Sequence, residues 1–252
     1  ISDYRLIYDY GREMARECRL AGVHVNFAPD ADVNSNPANP VIGFRSFGED
    51  PDRVAKTAVA YSLGLEDGGV QSVAKHFPGH GDTDVDSHKA LPSVGHSRAR
   101  LDSTDLVPFK EYIGAGCSGI MVGHIAVPAL DASGKPASLS AVVTDKLLRR
   151  ELGFNGLIYT DALGMKGAST SATNASLSAL MAGADVLLCP SNPANDIDVI
   201  AQAVASGKIS RDVIEDRCKR LLRYKYLLDA GHKTPGSADS IRLSLIHISE
   251  PT

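Results

Sequence analysis

Side chains that can move protons are concentrated between Lys75 and Pro92, in the sequence KHFPGHGDTDVDSHKALP. Its first 14 residues include three histidines, one lysine and three aspartates, interleaved with glycine and proline. The segment directly follows a short apolar run typical of a strand, and loops in that position carry function more often than packing. A solvated surface loop is the alternative interpretation of the same composition.

Asp86 and His88 are the candidate acid/base pair of this loop. They are separated by one residue, and in an extended segment side chains at i and i+2 lie on the same side. A carboxylate held against one imidazole nitrogen fixes the tautomer and supports the protonated ring, so the other nitrogen is able to give or take a proton. An imidazole that titrates near neutrality suits general acid–base catalysis.

Metal binding is a further interpretation of the loop, because His76, His80 and His88 recur at intervals of four and eight residues. Zinc sites on helices use histidines four residues apart. The proline and the two glycines between these histidines disfavour a helix. We therefore expect no metal here.

Asp161 is the second candidate, in the sequence GLIYTDALGMKG from Gly156 to Gly167. An apolar strand pattern ends at Thr160, so the aspartate comes at the C-terminal tip of a strand. There its carboxylate is either an ordinary helix N-cap or a nucleophile that faces a catalytic pocket. Spacing alone leaves both roles open.

Arg45 is the third candidate, in the sequence GFRSFGEDP from Gly43 to Pro51. Its guanidinium presents a rigid fork of donors, which suits recognition of polar ligand groups. The carboxylates that follow it in the sequence offer a surface ion pair as the alternative.

Alternating strand and helix patterns position these candidates. Short apolar or β-branched runs predict strands at Val23–Ala28, Val70–Ala74, Gly119–Val122, Leu157–Thr160 and Asp185–Leu188. Amphipathic stretches predict helices at Asp3–Leu20, Pro51–Glu66, Leu101–Ala115, Thr144–Leu152, Ala172–Met181, Pro193–Ala205 and Ser210–Leu228. Strands that alternate with helices indicate parallel βαβ units. Polar residues just after the strands match the catalytic face of a barrel, so we predict an α/β protein with a (β/α)8 TIM-type barrel.

A closed barrel of this type has eight strands, whereas five are legible here. Because the chain starts at Ile1, we expect that it lacks the first βα units. The last 15 residues, 238–252, have neither a helical nor a strand period. We therefore expect a catalytic barrel domain over residues 1–237 and a non-native tail over residues 238–252.

Composition excludes several classes of protein. Of the 252 residues, 43% are hydrophobic and 22% are charged, which is ordinary for a globular chain and excludes disorder, collagen and a coiled coil. The net charge of −4 argues against nucleic acid as a partner. No apolar run is long enough to predict a membrane span. The four scattered cysteines form no CxxC pair, which argues against a zinc ribbon and a dense disulfide framework.

Three of these segments resemble the β-N-acetylglucosaminidases of glycoside hydrolase family 3. KHFPGHGDTDVDSH is similar to that family's acid/base loop, TDALGMKG to its nucleophile segment and FRSFGEDP to its arginine-containing substrate loop. VHVNFAP, PASLS and ELGF also occur in the family's order, so the resemblance runs from about residue 5 to residue 228.

The resemblance implies a retaining exo-hydrolase that removes terminal β-linked N-acetylglucosamine from peptidoglycan fragments or chitooligosaccharides. Asp161 matches the nucleophile that forms a covalent glycosyl-enzyme intermediate. His88 matches the general acid/base and Asp86 matches its dyad partner. Most retaining glycosidases pair two carboxylates, so a histidine in this role departs from the general scheme.

The resemblance also implies that Arg45, Lys75 and His76 bind hydroxyls of the sugar, without a metal or an organic cofactor. A further sugar-binding aspartate, which the family has upstream of the segment matching Ile1, has no counterpart here. The histidine dyad favours an amino sugar. A β-glucosidase of the same family and a catalytically silent sugar-binding barrel are the alternatives.

Overall fold

The computed structural model describes residues 3–83, 90–168 and 174–229. Its α-helices are α1 Tyr4–Leu20, α2 Pro51–Asp67, α3 Arg98–Arg100, α4 Val107–Gly114, α5 Ala175–Ala182, α6 Pro193–Ala205 and α7 Arg211–Asp229. Its other helical segments are three 3-10 turns, Gly43–Arg45, Ala137–Leu139 and Lys166–Ala168, and two π-type segments, Leu101–Asp105 and Val142–Glu151. None of the helices described here has the length and apolar character that crossing a membrane requires.

The described residues form five short strands between these helices: β1 Val25–Asn26, β2 Gln71–Ser72, β3 Ala74–Phe77, β4 Gly119–Val122 and β5 Leu157–Thr160. Strand β1 pairs with β2, and β4 lies between β3 and β5, in parallel ladders throughout. Single parallel bridges extend this order from Asp30 to Lys75 on one side and from Tyr159 to Val186 on the other. Parallel neighbours in chain order with helical crossovers make an α/β fold of the barrel type, which confirms the predicted class.

Helices α1 and α2 cover one side of the strands and approach each other through glycine. A Cβ atom added at Gly11 would lie 2.3 Å from the carbonyl oxygen of Tyr61. One added at Gly64 would lie 2.1 Å from the carbonyl oxygen of Tyr8. Only glycine permits backbones this close, so the α1–α2 distance is fixed by these two positions.

The main core lies between the strands and the helices that follow them. Its largest fully buried side chains include Phe77 on β3, Phe109 and Tyr112 on α4, and Phe154 just before β5. The rings of Phe77 and Phe109 pack edge to face with centroids 5.3 Å apart. This contact joins the strand that carries Lys75 and His76 to the rigid interior.

Most element boundaries follow the sequence pattern closely. Strands β4 and β5 and helix α6 have the predicted bounds, and α1 begins one residue after Asp3, whose carboxylate caps it. The predicted helix Leu101–Ala115 is instead divided, with a π-type segment before α4. The predicted strand Asp185–Leu188 is a single bridge at Val186.

Candidate active site

The candidate residues converge at the carboxyl ends of neighbouring parallel strands. Lys75 and His76 are the second and third residues of β3, and the peptide bond between them is cis. Asp161 directly follows β5, which is two strands away from β3 in the same sheet. The carboxyl ends of parallel strands lie on the same side of a sheet, so these side chains share one face of the fold.

Asp32 is a fully buried carboxylate that anchors the β3 side of the site. Its Oδ2 atom accepts from Nδ1 of His76 at 2.7 Å and from the backbone N–H of His76 at 3.2 Å. Its Oδ1 atom accepts from the backbone N–H of His80 at 2.6 Å. Burial raises the pKa of Asp32, whereas the charge on His80 and these N–H donors lower it.

His76 is a neutral imidazole with a defined orientation. Burial lowers its pKa to about 4, and the carboxylates of Asp30 and Asp161 oppose that effect only in part. While Asp32 is ionised its oxygen can only accept, so Nδ1 of His76 carries the ring proton. The lone pair on Nε2 is then available to accept a hydrogen bond from a hydroxyl group.

Arg45 and Lys75 bring two cations to the same region. Arg45 lies in the 3-10 turn before α2, and its Nε atom is 3.4 Å from Oδ2 of Asp30. Burial lowers the pKa of Lys75, and the charge on Arg45 lowers it further. The carboxylates of Asp30, Asp161 and Asp32 act in the opposite direction. Lys75 therefore lies within electrostatic range of both the arginine and the nucleophile candidate.

Asp161 is half-buried at the end of β5, and its backbone is hydrogen-bonded to the neighbouring strand β4. Its backbone N–H donates to the carbonyl of Val122 at 3.0 Å, and its Oδ1 atom accepts from the N–H of Ala162 at 2.8 Å. No α-helix begins in the described residues 162–168, where a turn leads into the 3-10 segment. The N-cap alternative for this carboxylate is therefore wrong.

His124 supports the segment that carries Asp161. The imidazole is fully buried after β4, with Nδ1 2.7 Å from Oγ of Ser138 and Nε2 3.0 Å from the carbonyl oxygen of Ala162. A carbonyl oxygen can only accept, so Nε2 carries a proton, and in the neutral ring Nδ1 then accepts from the serine hydroxyl. The residue next to the nucleophile candidate is thereby held by a buried hydrogen-bond relay.

Gly123 directly follows β4 and lies in a narrow space beside His76 on β3. A Cβ atom at this position would lie 3.1 Å from Cβ of His76 and 3.0 Å from Cδ1 of Ile125. Such contacts are tighter than packed carbon atoms normally make, so a side chain here would displace its neighbours.

A cleft of about 690 Å³ opens beside these residues. Asp30, Arg45 and Lys75 line its polar side, and Phe27 and Phe47 belong to its apolar side. Asp161 and His76 are not part of its wall. The cleft therefore shares the two cations with the strand-end site and extends away from the nucleophile candidate.

Asp30, Asp32 and His76 are the described residues that could hold a metal ion, because one ligand atom from each lies within 4.8 Å of the others. Each of these groups already has a protein partner. Asp32 accepts from His76 and His80, and Asp30 faces the Arg45 guanidinium. Positive charge at this cluster is thus supplied by the chain itself.

The structure brings together four of the six candidate residues. Arg45, Lys75, His76 and Asp161 act on one another through the electrostatic couplings above. Asp86 and His88 lie outside the described residues, so their acid/base role stays a prediction. Arg45 pairs with Asp30 rather than with the carboxylates that follow it in the sequence.

Three buried residues of the site, Asp30, Asp32 and His124, lie outside the three motifs described above. Asp30 and Asp32 follow the strand pattern in FAPDAD, where two carboxylates at a strand end were a signal for function. His124 directly follows the residues Val122 and Gly123 at the end of β4, and its contacts with Ser138 and Ala162 hold the segment that carries Asp161.

Comparison with models of protein families identifies the family of this chain. Residues 1–224 match the glycosyl hydrolase family 3 N-terminal domain. The chain belongs to glycosyl hydrolase family 3. Within this family it is 38% identical over 261 residues to a protein named β-hexosaminidase A from Pseudoalteromonas piscicida, covering 95% of this chain and 43% of that protein. It is 42% identical over 158 residues to a β-hexosaminidase from Neisseria meningitidis serogroup C, covering 63% of this chain and 43% of the relative.

Solved structures of the family have the same fold. A glycoside hydrolase family 3 β-N-acetylglucosaminidase from Paenibacillus sp. str. FPU-7 superposes with a TM-score of 0.89 at 39% identity, covering 98% of this chain and 49% of that one. The chain thus spans less than half the length of these family 3 relatives. The family and the barrel-type fold are therefore established, as the sequence resemblance predicts.

Proposed function

We propose that this chain provides the catalytic barrel of a retaining β-N-acetylglucosaminidase. The observation that carries the proposal is the convergence of Asp161, Lys75 and His76 at the ends of β5 and β3. A nucleophile candidate beside two candidate sugar-binding groups is the arrangement that glycosyl transfer to a carboxylate needs.

In the first step Asp161 attacks the anomeric carbon. The bond from that carbon to the leaving oxygen breaks, and His88 gives its proton to this oxygen. The product is a covalent glycosyl ester of Asp161. Asp86 supports the imidazolium form of His88 before transfer. The roles of the histidine and its partner rest on the sequence resemblance.

In the second step water resolves the ester. His88 takes a proton from the water, whose oxygen attacks the anomeric carbon, and the carboxylate of Asp161 leaves. Two inversions give net retention of the β configuration. His76 accepts from a sugar hydroxyl through Nε2, and Lys75 and Arg45 donate to hydroxyl oxygens, so the sugar is held while its anomeric carbon reacts.

The names of the relatives favour an amino sugar over glucose. Two curated relatives are named β-hexosaminidases, and the Paenibacillus structure is named a β-N-acetylglucosaminidase. A β-glucosidase is the alternative within the family. A catalytically silent sugar-binding barrel is the alternative outside enzymes.

The test compares nitrophenol release from the β-N-acetylglucosaminide and the β-glucoside, with Asp161→Ala and Asp102→Asn as paired variants. Asp102 is a carboxylate on the helical surface paired with Arg98 and Lys110, so it controls for loss of an acid elsewhere. We expect turnover of the amino sugar, a loss on the order of a thousandfold or more in Asp161→Ala, and no loss in Asp102→Asn.

Product stereochemistry decides the mechanism. Proton NMR during hydrolysis should show the β anomer first, followed by slow mutarotation. An initial α anomer would contradict retention. Turnover confined to the glucoside would move the assignment to the β-glucosidase, and sugar binding without turnover would support the silent barrel.

A further inference from the structure

Asp30 is a buried carboxylate that the proposed mechanism does not use. Its residue is 7% exposed, and its Oδ2 atom lies 3.4 Å from Nε of Arg45 without a hydrogen-bond partner. Its Oδ1 atom accepts from the backbone N–H of Asp32 at 3.3 Å. One oxygen therefore fixes the carboxylate against its own loop, and the other faces the guanidinium.

The backbone around Asp30 is tied directly to Lys75. The N–H of Ala31 donates to the carbonyl of Lys75 at 2.7 Å, and the N–H of Lys75 donates to the carbonyl of Pro29 at 3.1 Å. Asp30 thus contacts one candidate sugar-binding cation through its side chain and is paired with the other through the main chain.

Two cations held side by side repel each other. The charge on Arg45 lowers the pKa of Lys75. Among the neighbouring carboxylates, Asp30 raises that pKa most. Asp32 is less free to compensate, because His76 and His80 already donate to its oxygens. Asp30 is therefore the carboxylate placed to balance the pair.

The guanidinium has a second contact that leaves its orientation dependent on Asp30. Nη1 of Arg45 is 3.5 Å from the carbonyl of Val41, at the limit of a hydrogen bond. The arginine is also 42% exposed along its side chain. A long, partly solvated side chain with one weak contact needs a counter-ion to keep a single rotamer.

We propose that Asp30 is a positioning residue of the sugar pocket, whose carboxylate holds the Arg45 guanidinium beside Lys75. The inference rests on the proposed function, because it assigns the two cations to sugar hydroxyls. Although Asp30 borders the cleft, its Oδ2 atom is buried, so it acts through the arginine and not by touching the sugar.

The test is a double-mutant cycle in the full chain. At pH 8, where the carboxyl of Asp30 is mostly ionised because its pKa is raised to about 7, Asp30→Asn, Arg45→Gln and the combined variant are compared for binding of N-acetylglucosamine by calorimetry and for KM and kcat on the nitrophenyl substrate. We expect Asp30→Asn to weaken binding and raise KM about tenfold, with a smaller change in kcat. In the Arg45→Gln background the same substitution should have almost no further effect.

Glu66→Gln is the matched control. Glu66 is a half-buried carboxylate whose pKa is also raised by burial, but it accepts from Ser72 and Ser118 near the amino ends of β3 and β4. It should leave sugar affinity unchanged. A loss of affinity in this control equal to that in Asp30→Asn would overturn a role specific to Asp30.

The outcomes separate the two proposals. A reference protein that neither binds nor hydrolyses the sugar contradicts the proposed function. If the sugar binds and Arg45→Gln weakens it, then unchanged affinity in Asp30→Asn, or additive losses in the double variant, contradicts the role of Asp30. If Asp30→Asn does not fold, Arg45→Lys replaces it in the test, because the lysine has no Nε atom at the position that faces Asp30. Full sugar affinity in Arg45→Lys would also overturn the proposal.

Discussion

Replacing Asp30 by asparagine should change how the free energy of unfolding depends on pH. Burial and the neighbouring Asp32 carboxylate raise the pKa of Asp30 from 3.8 to about 7, and His76 and Arg45 offset this only in part. The native state therefore holds a proton that the unfolded chain has released. A raised pKa gives stability that is complete below pH 4 and is lost as the pH rises through 7.

The size of the effect follows from the shift of about three pKa units. Each unit corresponds to about 1.4 kcal/mol, so ionising Asp30 costs the native state about 4 kcal/mol once the pH exceeds 7. Integrated over the titration, the cost is about 1.7 kcal/mol at pH 5 and rises to about 4 kcal/mol at pH 8. The asparagine does not titrate, so it escapes this cost.

Urea unfolding at half-unit steps between pH 5 and pH 8 measures the effect. The stability of Asp30→Asn relative to the unsubstituted chain should rise by about 2.5 kcal/mol over this range. Shared groups that do not interact with Asp30 cancel in the difference. Asp102→Asn is the control, because Arg98 and Lys110 lower the pKa of Asp102 and place its titration below this range. Parallel curves for Asp30→Asn and the unsubstituted chain would refute the reasoning.

Two further predictions concern packing and the nucleophile segment. Gly11→Ala should destabilise the fold by about 2 kcal/mol or more, because its Cβ would collide with backbone of α2, whereas Gly114→Ala, with open space around it, should not destabilise it. Equal midpoints in urea for both variants would contradict the close contact of α1 and α2. His124→Leu should lower kcat about tenfold or more with KM within about twofold, because the carbonyl of Ala162 loses its buried donor. A lower melting temperature with unchanged kcat on the nitrophenyl substrate would assign His124 to stability alone.

Elements with a continuous apolar pattern could be predicted from the sequence to the residue. Every residue of β4 and β5 is buried, so their apolar runs and their bounds coincide. Strand β3 instead continues to Phe77, beyond the predicted end at Ala74, because the polar side chains of Lys75 and His76 interrupt the apolar run. Polar residues inside a strand thus obscure where the strand ends in the sequence.

The division of the predicted helix before α4 also has a local cause. Pro108 lies in the first turn of α4 and has no N–H to donate, and the N–H of Leu106 reaches back five residues to the carbonyl of Leu101. An amphipathic pattern reports which face is buried and not the hydrogen-bond spacing. It therefore predicts one helix where the backbone changes pitch.

The candidate site was predictable only where its residues share a motif. The sequence predicts Lys75, His76 and Asp161 because each lies in a recognisable segment after or within a strand. Asp30 and Asp32 gain their roles from Arg45 and His76, which are distant in sequence. Contacts between residues this far apart in the sequence can be identified only once the strands are placed side by side in the fold.

The space at Gly123 limits how this pocket can change. The separation between the end of β4 and His76 is set by a hydrogen atom, which is the smallest group a residue can present. Substitution at this position can make the pocket narrower but never wider. A family 3 enzyme built on this chain could therefore gain room for a bulkier sugar from a loop such as the one that carries Arg45, but not from a substitution at Gly123.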